Sequence, residues 1–169
     1  MKNSNVIDDK TRVLFFINGF GLLALSLLIG WVWFFALLER IVLWPFPIDI
    51  SVNIPNDSRA WRMAHMEAIT QGLMLIGVGA TSKFLSLRKR QTTWLFWSAI
   101  VAAWVFTVAA TLNAIFGTRG LAFGGGPFEA STVNDLIYLM GYPPIIGIHI
   151  MIILIMLGLF RTKSQLTDA

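Results

Sequence analysis

Long apolar runs separated by short polar connections dominate the chain. Four runs, at about 13–38, 61–87, 93–117 and 133–160, reach the ~20 residues that a helix needs to cross the hydrocarbon core of a bilayer. Because lipid offers no partners to unpaired backbone groups, each run is predicted to be a helix even where β-branched residues are frequent. The pattern therefore predicts an all-α fold, a four-helix transmembrane bundle that forms a single membrane domain over residues 1–169.

The composition agrees with a protein whose solvent is lipid. Hydrophobic residues make up 56% of the chain and charged residues 13%, whereas a soluble domain carries about 25% charged residues. The net charge of +4 does not indicate a nucleic-acid partner, because the basic residues flank the apolar runs. The absence of cysteine excludes disulfides, thiolate catalysis, iron–sulfur clusters and zinc–thiolate sites.

The distribution of Lys and Arg predicts the orientation. Nine of the 13 basic residues lie in the N-terminal segment, the second connection and the C-terminal tail, and four lie in the other two connections. Since cytoplasmic loops carry the excess of Lys and Arg, both termini are predicted to be cytoplasmic in a multi-pass protein of a bacterial-type inner membrane.

The connections differ in character. The first, at about 39–60, is rich in proline and aromatic residues and is predicted to lie on the bilayer surface. The third, at 118–131, contains four glycines, which would let the backbone run close to another element or to a ligand. It is no P-loop, because no lysine follows the glycines and no strand precedes them.

Ionisable groups inside membrane spans are functional candidates. On the second run, His65 shares a helix face with Ala68, Gly72 and Gly79, which leaves a flat slot beside the imidazole. That slot fits either a closely packed neighbouring helix or a planar cofactor with His65 as its axial ligand. Gln71 lies about 120° from the His65 face and is predicted to line the same cavity.

His149 is the other histidine within a span, amid isoleucines on the fourth run. It is either a neutral side chain that hydrogen-bonds across the bundle or a second axial ligand, which would make a six-coordinate electron-transfer site. Pro143 and Pro144 interrupt the helical hydrogen bonds about one and a half turns earlier, where a cavity or a neighbour must satisfy the freed carbonyls.

Two short motifs resemble those of the styrene oxide isomerases, which are small four-helix membrane enzymes. The segment WRMAH at 61–65, followed by GLM at 72–74, resembles the start of helix two in that family. The segment TRGLAFG at 118–124 resembles the family's loop between helices three and four, with the same separation of His65 from Arg119. The resemblance covers about residues 55–150.

The resemblance implies a function and an assembly. Family members form homotrimers with a b-type haem at each subunit interface, so it implies ferric haem b with His65 as the iron ligand and Ala68, Gly72 and Arg119 as cofactor-binding residues. The ferric iron acts as a Lewis acid on an epoxide oxygen. The ring then opens, and a 1,2-hydride shift gives a carbonyl product from a lipophilic small-molecule substrate.

The sequence departs from the family pattern in the substrate shell. Gln71 replaces an asparagine, Ala110 a tyrosine and Ala102 an aspartate. The missing polar groups must then be supplied by other side chains, and the resemblance leaves these catalytic candidates: Gln71, Thr111, Asn113 and Tyr138. Two alanines in place of polar residues also predict a larger and drier pocket than that for styrene oxide.

Two other functions fit the residues. One is a haem-binding or electron-transfer protein that uses His65 and His149 as iron ligands without isomerase activity. The other is a structural or transport protein in which both histidines are structural, although the repeated halves that are typical of transporters are absent from the sequence.

Overall fold

The computed structural model describes residues 7–55 and 57–167. These residues form five helices, a β-hairpin and a short 3₁₀ turn. The helices are α1 (Asp9–Leu38), α2 (Ser58–Thr81), α3 (Lys89–Phe116), α4 (Thr132–Met140) and α5 (Tyr142–Thr167). The hairpin consists of β1 (Arg40–Leu43) and β2 (Ile48–Ser51), and the 3₁₀ turn covers Ser82–Phe84.

Three helical segments in the described part of the chain are long and apolar enough to cross a membrane: Asp9–Leu38, Lys89–Phe116 and Thr132–Thr167. The chain therefore has the helices of a multi-pass membrane protein. Large apolar side chains cover much of their outer surface, as expected for helices whose outward faces meet lipid. The remaining predicted run, at 61–87, corresponds to α2, which is less apolar because it carries Arg59, Arg62, Glu67 and Gln71.

The helix predicted at 61–87 is shorter than its apolar run. The chain leaves α2 at Thr81, tightens into the 3₁₀ turn and continues through Leu85 and Leu87 without helical structure. Both leucines are almost completely buried. They pack against Gly158 of α5, where an added Cβ would lie 3.1 Å from the Cβ of Leu85 and 3.3 Å from Cδ2 of Leu87. Their hydrophobicity therefore reflects burial in a connection and not continuation of the helix.

The run predicted at 133–160 is divided into α4 and α5 at Gly141. Pro143 and Pro144 have no backbone N–H to donate, so the regular hydrogen-bond ladder cannot run through them. At the junction the N–H of Gly141 donates to the carbonyl of Tyr138. The prediction that the prolines interrupt the ladder agrees with this break.

The first connection contains a structure that the all-α prediction missed. Its strands pair antiparallel, with Arg40 opposite Ser51 and Leu43 opposite Ile48. The prolines at 45 and 47 cannot continue α1, and the flanking residues are largely β-branched, which favours strands. An ion pair between Arg40 and Asp49 at 3.3 Å joins the strands. The fold is therefore mostly helical, with a hairpin at the end of the bundle where α1 ends and α2 begins.

Small residues bring α1 and α2 together over most of their length. A Cβ added at Gly72 would lie 2.9 Å from the carbonyl oxygen of Gly19, and one added at Gly79 would lie 3.0 Å from the Cβ of Phe15. Such close approach of two backbones is typical of helix pairs in membranes. On its other side, α2 packs against α3, and α3 packs in turn against α5.

The start of α1 is capped by a carboxylate outside the apolar segment. Asp8 accepts hydrogen bonds at 2.9 Å from both the backbone N–H and the hydroxyl of Thr11. These bonds stabilise the ionised form, so the pKa of the Asp8 carboxyl lies below its usual value.

Candidate functional site

His65 lies about two turns inside α2, on the edge that faces α1. Its ring is partly buried, and Nδ1 lies 2.8 Å from the carbonyl oxygen of Ser26 on α1. A carbonyl oxygen can only accept a hydrogen bond, so Nδ1 carries the proton and donates it. The lone pair of Nε2 then stays available. A histidine that is fixed through Nδ1 to a backbone carbonyl and offers Nε2 is the usual arrangement of a metal-bound imidazole.

Two further residues of α1, Gly30 and Trp33, lie beside the imidazole, and neither was predicted from the sequence. Gly30 lies against the imidazole, since an added Cβ would come within 3.1 Å of Cε1 and 3.2 Å of Nδ1. The Trp33 ring lies 6.2 Å from the imidazole, measured between ring centroids. Gly30 stands one turn after the small residue Ser26 on α1, and this spacing is the sequence signal that could have identified Gly30.

The slot beside His65 is filled by α1. Ala68 is completely buried, Gly72 lies against the backbone of Gly19, and Gly79 lies against Phe15. Of the two interpretations of this small-residue stripe, helix packing is the one that the structure shows. Ala68 and Gly72 are buried against α1, while the imidazole itself keeps a free nitrogen, and their role as cofactor-binding residues stays a prediction.

Gln71 does not share the surroundings of His65. It is 8% exposed and lies on the α3-facing edge of α2, where its Nε2 donates to Oε1 of Glu67 at 2.7 Å. The structure gives the two side chains separate partners, since Gln71 bonds Glu67 on its own helix and His65 bonds Ser26 on α1.

A cavity of about 100 Å³ lies on the far side of α2, between α2, α3 and the connection at 117–131. Ala110 and Asn113 of α3 line it together with Arg119, so the structure brings the predicted residues Asn113 and Arg119 to one place. The rest of the lining is contributed by Arg59, Ala60, Met63, Thr118, Leu121 and Phe128. Ala110, which stands where the resemblance places a tyrosine, opens directly into this space.

Ala102 has a different setting. Ala102 is completely buried, and a Cβ added at Gly147 of α5 would lie 3.6 Å from the Cβ of Ala102. The change from aspartate to alanine at this position therefore serves the contact between α3 and α5. Of the two alanines, Ala110 lines the cavity and Ala102 does not, so the expectation of a larger pocket stays a prediction that concerns Ala110.

Arg119 is held by a charge at the start of α2. Its Nη2 lies 2.8 Å from Oδ2 of Asp57, while Oδ1 of the same carboxylate accepts hydrogen bonds from the backbone N–H groups of Arg59 and Ala60. Asp57 is thus the N-cap of α2 and the anchor of the loop arginine. A wider polar cavity of about 380 Å³ adjoins the first, and Thr118, Arg119 and Phe128 line both.

Asn134 gives the glycine-rich connection its shape. Its Oδ1 accepts from the N–H of Gly120, and its Nδ2 donates to the carbonyl of Ala122, both at 2.9 Å. Asp135 accepts from the N–H of Gly124 at 2.7 Å. The connection is therefore folded against the start of α4, and this fold fixes the cavity wall that contains Arg119.

Within the cavity, Asn113 keeps a free donor. Its Oδ1 accepts from the hydroxyl of Thr118 at 2.8 Å, which leaves the amide hydrogens of Nδ2 for another acceptor. An amide that is oriented in this way can donate to an oxygen of a bound molecule. Thr111, in contrast, donates to the carbonyl of Thr107 on its own helix.

Tyr138 and His149 lie elsewhere. The Tyr138 hydroxyl is 2.8 Å from that of Tyr142, and its ring packs against Phe123. His149 is exposed on α5, and its Nδ1 bonds the carbonyl of Ile145 at 2.7 Å. It does not hydrogen-bond across the bundle as predicted. The structure also does not bring it near His65 within one chain, because α3 lies between α2 and α5.

His65 and the cavity occupy opposite sides of α2. Each residue of a helix turns by about 100°, so Met63 points about 160° away from His65 and Ala60 about 140° away. The described residues hold no group of three or more His, Asp or Glu that could bind a metal ion. His65 is therefore not part of such a group within the described residues.

The comparisons with known proteins identify a family for the chain. The family model described as styrene oxide isomerase matches residues 11–160, which include α2, α3, α4, both cavities and most of α1 and α5. No curated protein matches the chain. The match extends over most of the sequence and includes His65, Asn113 and Arg119. The chain therefore belongs to the styrene oxide isomerase family.

Proposed function

We propose that the protein is a membrane-embedded, haem-dependent isomerase that converts lipophilic epoxides to carbonyl compounds. The observation that carries the proposal is the hydrogen bond from His65 Nδ1 to the Ser26 carbonyl, in a chain of this family. It fixes the tautomer in which Nε2 can ligate iron. Gly30 supports the same ring position, since a side chain there would press on the imidazole.

The residues fit haem b with His65 as its only ligand from its own chain. When bound, ferric haem supplies a Lewis acid for the epoxide oxygen, which favours ring opening and a 1,2-hydride shift. The chain supplies the rest: Asn113 can donate a hydrogen bond to a substrate oxygen, and the apolar part of the cavity lining can contact a lipophilic substrate. Ala110 leaves open the part of the cavity that a tyrosine side chain would fill.

The arrangement within one subunit supports a shared site. Because His65 and the cavity face opposite sides of α2, a single planar group cannot contact both in one chain. A homotrimer in which His65 of one subunit meets the cavity of the next would bring them together, with a haem at each interface. In this assembly each subunit has four spans, α2 being one of them, and both termini are cytoplasmic.

The test is an ultraviolet–visible spectrum of protein expressed with supplemented haem and purified in detergent. We expect a Soret band in the wild type, its loss in His65→Ala, and its retention in the matched control His149→Ala, because His149 lies on another face. Isomerisation of styrene oxide, followed by chromatography of the aldehyde, is expected to follow the same pattern. A colourless wild type, or a band that survives His65→Ala unchanged, contradicts the proposal.

A further inference from the structure

An apolar groove of about 390 Å³ runs along the outer surface of the bundle between α3 and α5. Its walls are side chains of both helices, mainly Trp94, Trp97 and Val101 of α3 with Ile146 and Ile150 of α5. The groove shares no lining residue with the two cavities beside the loop arginine. The structure therefore offers a second place for an apolar ligand, apart from the candidate functional site.

The polar atoms that line the groove already have partners. Its floor is a close contact between the two helices, since a Cβ added at Gly147 would lie 2.7 Å from the carbonyl oxygen of Ser98. The Ser98 hydroxyl donates to the carbonyl of Leu95 at 3.1 Å, and the Tyr142 hydroxyl lies 2.8 Å from that of Tyr138. Because a polar ligand would gain little from such a lining, the groove favours a hydrocarbon chain.

The groove begins one turn after a basic residue of α3. The face of α3 that carries Arg90 continues at intervals of three or four residues into the groove, through Trp94, Trp97 and Val101. Along the helix axis, Trp94 lies about 6 Å and Val101 about 17 Å from Arg90. One leaflet contributes about 15 Å of hydrocarbon to a bilayer. The groove thus lies at the depth of the acyl chains of one leaflet, and Arg90 lies at the level of the headgroups.

Two guanidinium groups without a carboxylate partner stand at this end of the groove. Nη1 of Arg161, in the last turns of α5, donates to Oε1 of Gln91 at 2.7 Å, which places the Arg161 side chain at the start of α3. Arg90 is exposed, and in the part of the chain that the structure describes neither arginine has an ion pair. The Asp9 carboxylate at the same end of the bundle is bound by Arg12 on α1. The head of the groove therefore carries uncompensated positive charge.

We propose that the groove binds an anionic phospholipid, with one acyl chain along Trp94 and Trp97 and the phosphate at Arg90 and Arg161. Guanidinium groups suit phosphate oxygens in charge and geometry, and basic residues beside a membrane segment attract anionic headgroups. The apolar walls suit the chain. This binding goes beyond the proposed isomerase and does not depend on it, because the groove lies apart from His65 and from the cavity that contains Asn113.

The test follows the thermal-unfolding midpoint of the detergent-purified wild type at increasing concentrations of three compounds. They are phosphatidylglycerol and phosphatidylcholine with the same palmitoyl and oleoyl chains, and glycerol phosphate without chains. We expect phosphatidylglycerol to bind about 5- to 30-fold more tightly than phosphatidylcholine, since each arginine near a headgroup contributes about fivefold. Glycerol phosphate is expected to leave the midpoint unchanged. Equal shifts with the two lipids, or an equal shift with glycerol phosphate, overturn the proposal.

Arg90→Gln tests the headgroup contact. It removes one of the two charges at an exposed position, so the preference for phosphatidylglycerol is expected to fall about fivefold. The matched control is Lys10→Gln, which removes an exposed charge at the start of α1, at the same end of the bundle but outside the groove, and is expected to keep the preference. Equal losses in the two variants would indicate attraction to the whole basic end and overturn the site.

Val101→Trp tests the acyl-chain contact. The larger side chain fills the groove and is expected to weaken binding of phosphatidylglycerol at least about 10-fold. Val108→Trp is the matched control, because Val108 is a partly exposed valine of the same helix that does not line the groove. Binding as tight in Val101→Trp as in Val108→Trp contradicts the assignment of the chain to this groove.

A second copy of the chain is the competing occupant. If subunits cover the groove, the wild type shows no preference for phosphatidylglycerol, and Val101→Trp lowers the oligomeric mass measured by light scattering while Val108→Trp does not. That pair of results overturns the proposal. A preference that Arg90→Gln weakens, with an unchanged oligomeric mass in Val101→Trp, supports the lipid site whether or not the protein binds haem.

Discussion

Asp57 shows how one side chain can hold two parts of the site. Its Oδ1 caps α2, the helix that carries His65, and its Oδ2 binds Arg119 in the cavity wall at 2.8 Å. The Arg119 and Asp57 side chains are 27% and 30% exposed, so solvent and salt weaken their attraction. The cap does not depend on charge in the same way, because any oxygen acceptor at this position satisfies the N–H groups of the first turn.

Substitutions at Asp57 should therefore separate the two roles. Asp57→Asn keeps an acceptor for the helix and loses the ion pair, so it is expected to lower stability by less than about 1 kcal/mol. Asp57→Ala loses both and is expected to lower it by about 1–2 kcal/mol more. Thermal-unfolding midpoints in detergent measure the difference, with Asp49→Asn in the hairpin as a control that removes an ion pair but no cap. Equal midpoints for the Asn and Ala variants would show that Asp57 does not cap α2.

At the scale of elements, the contact between α1 and α2 determines where His65 points. The ring is anchored to a carbonyl of α1, so its position depends on how closely the two helices approach. The glycine contacts at Gly72 and Gly79 set that approach. Gly77 lies on the opposite, exposed face of α2, and an added Cβ there meets nothing within 4 Å.

Gly72 and Gly77 provide a matched pair of Gly→Ala substitutions on one helix. Gly72→Ala places a Cβ 2.9 Å from the Gly19 oxygen, so the helices must separate, and we expect a loss of about 1–3 kcal/mol. Gly77→Ala meets no neighbour and is expected to be neutral or to gain up to about 1 kcal/mol. Unfolding midpoints measure both effects. A Soret band that shifts in Gly72→Ala alone would link the separation to His65, whereas equal midpoints for the two variants would refute the packing argument.

Hydrophobic periodicity predicted much of this architecture, because a run of 20 apolar residues has few stable forms in lipid. The apolar runs predicted α1 and α3, and His65 stood out as an ionisable group inside one of the predicted spans. Periodicity could not decide between helix packing and a cofactor for the Gly72 face, since a period identifies a face but not its partner. Leu85 and Leu87 misled the prediction for a related reason: burial in a connection and burial in a helix produce the same composition.

Residues that act across the chain were the hardest to predict. Ser26 provides its backbone carbonyl to His65, and a carbonyl leaves no trace in the sequence. Asn134 folds a loop 14 residues away through a hydrogen bond to Gly120, which only the tertiary structure shows. Arg119 and Asn113 were found from the family resemblance and from polarity, and the cavity brings them together.

At the scale of the whole molecule, the homotrimer that we propose rests on the opposed positions of His65 and the cavity. A contact between two different surfaces of the same chain is heterologous, and such contacts close into rings when the rotation allows. In a trimer of this kind every interface would contain one His65 and one cavity, from adjacent subunits. A site within a single subunit would need the two to share one side of α2, which they do not.

Mixed oligomers can test this arrangement directly. His65→Ala removes the imidazole and keeps the cavity, whereas Ala110→Trp keeps the imidazole and fills the cavity, so each variant alone is expected to be inactive. In randomly mixed rings an interface works when His65 comes from one variant and the cavity from the other, which restores about one quarter of the wild-type sites. Isomerase activity and the Soret band of co-expressed, differently tagged chains measure the recovery.

Co-expression of His65→Ala with the double variant His65→Ala/Ala110→Trp is the control, because no chain then carries the imidazole. Mixed oligomers as inactive as this control would place His65 and the cavity in separate sites and remove the reason for a shared interface.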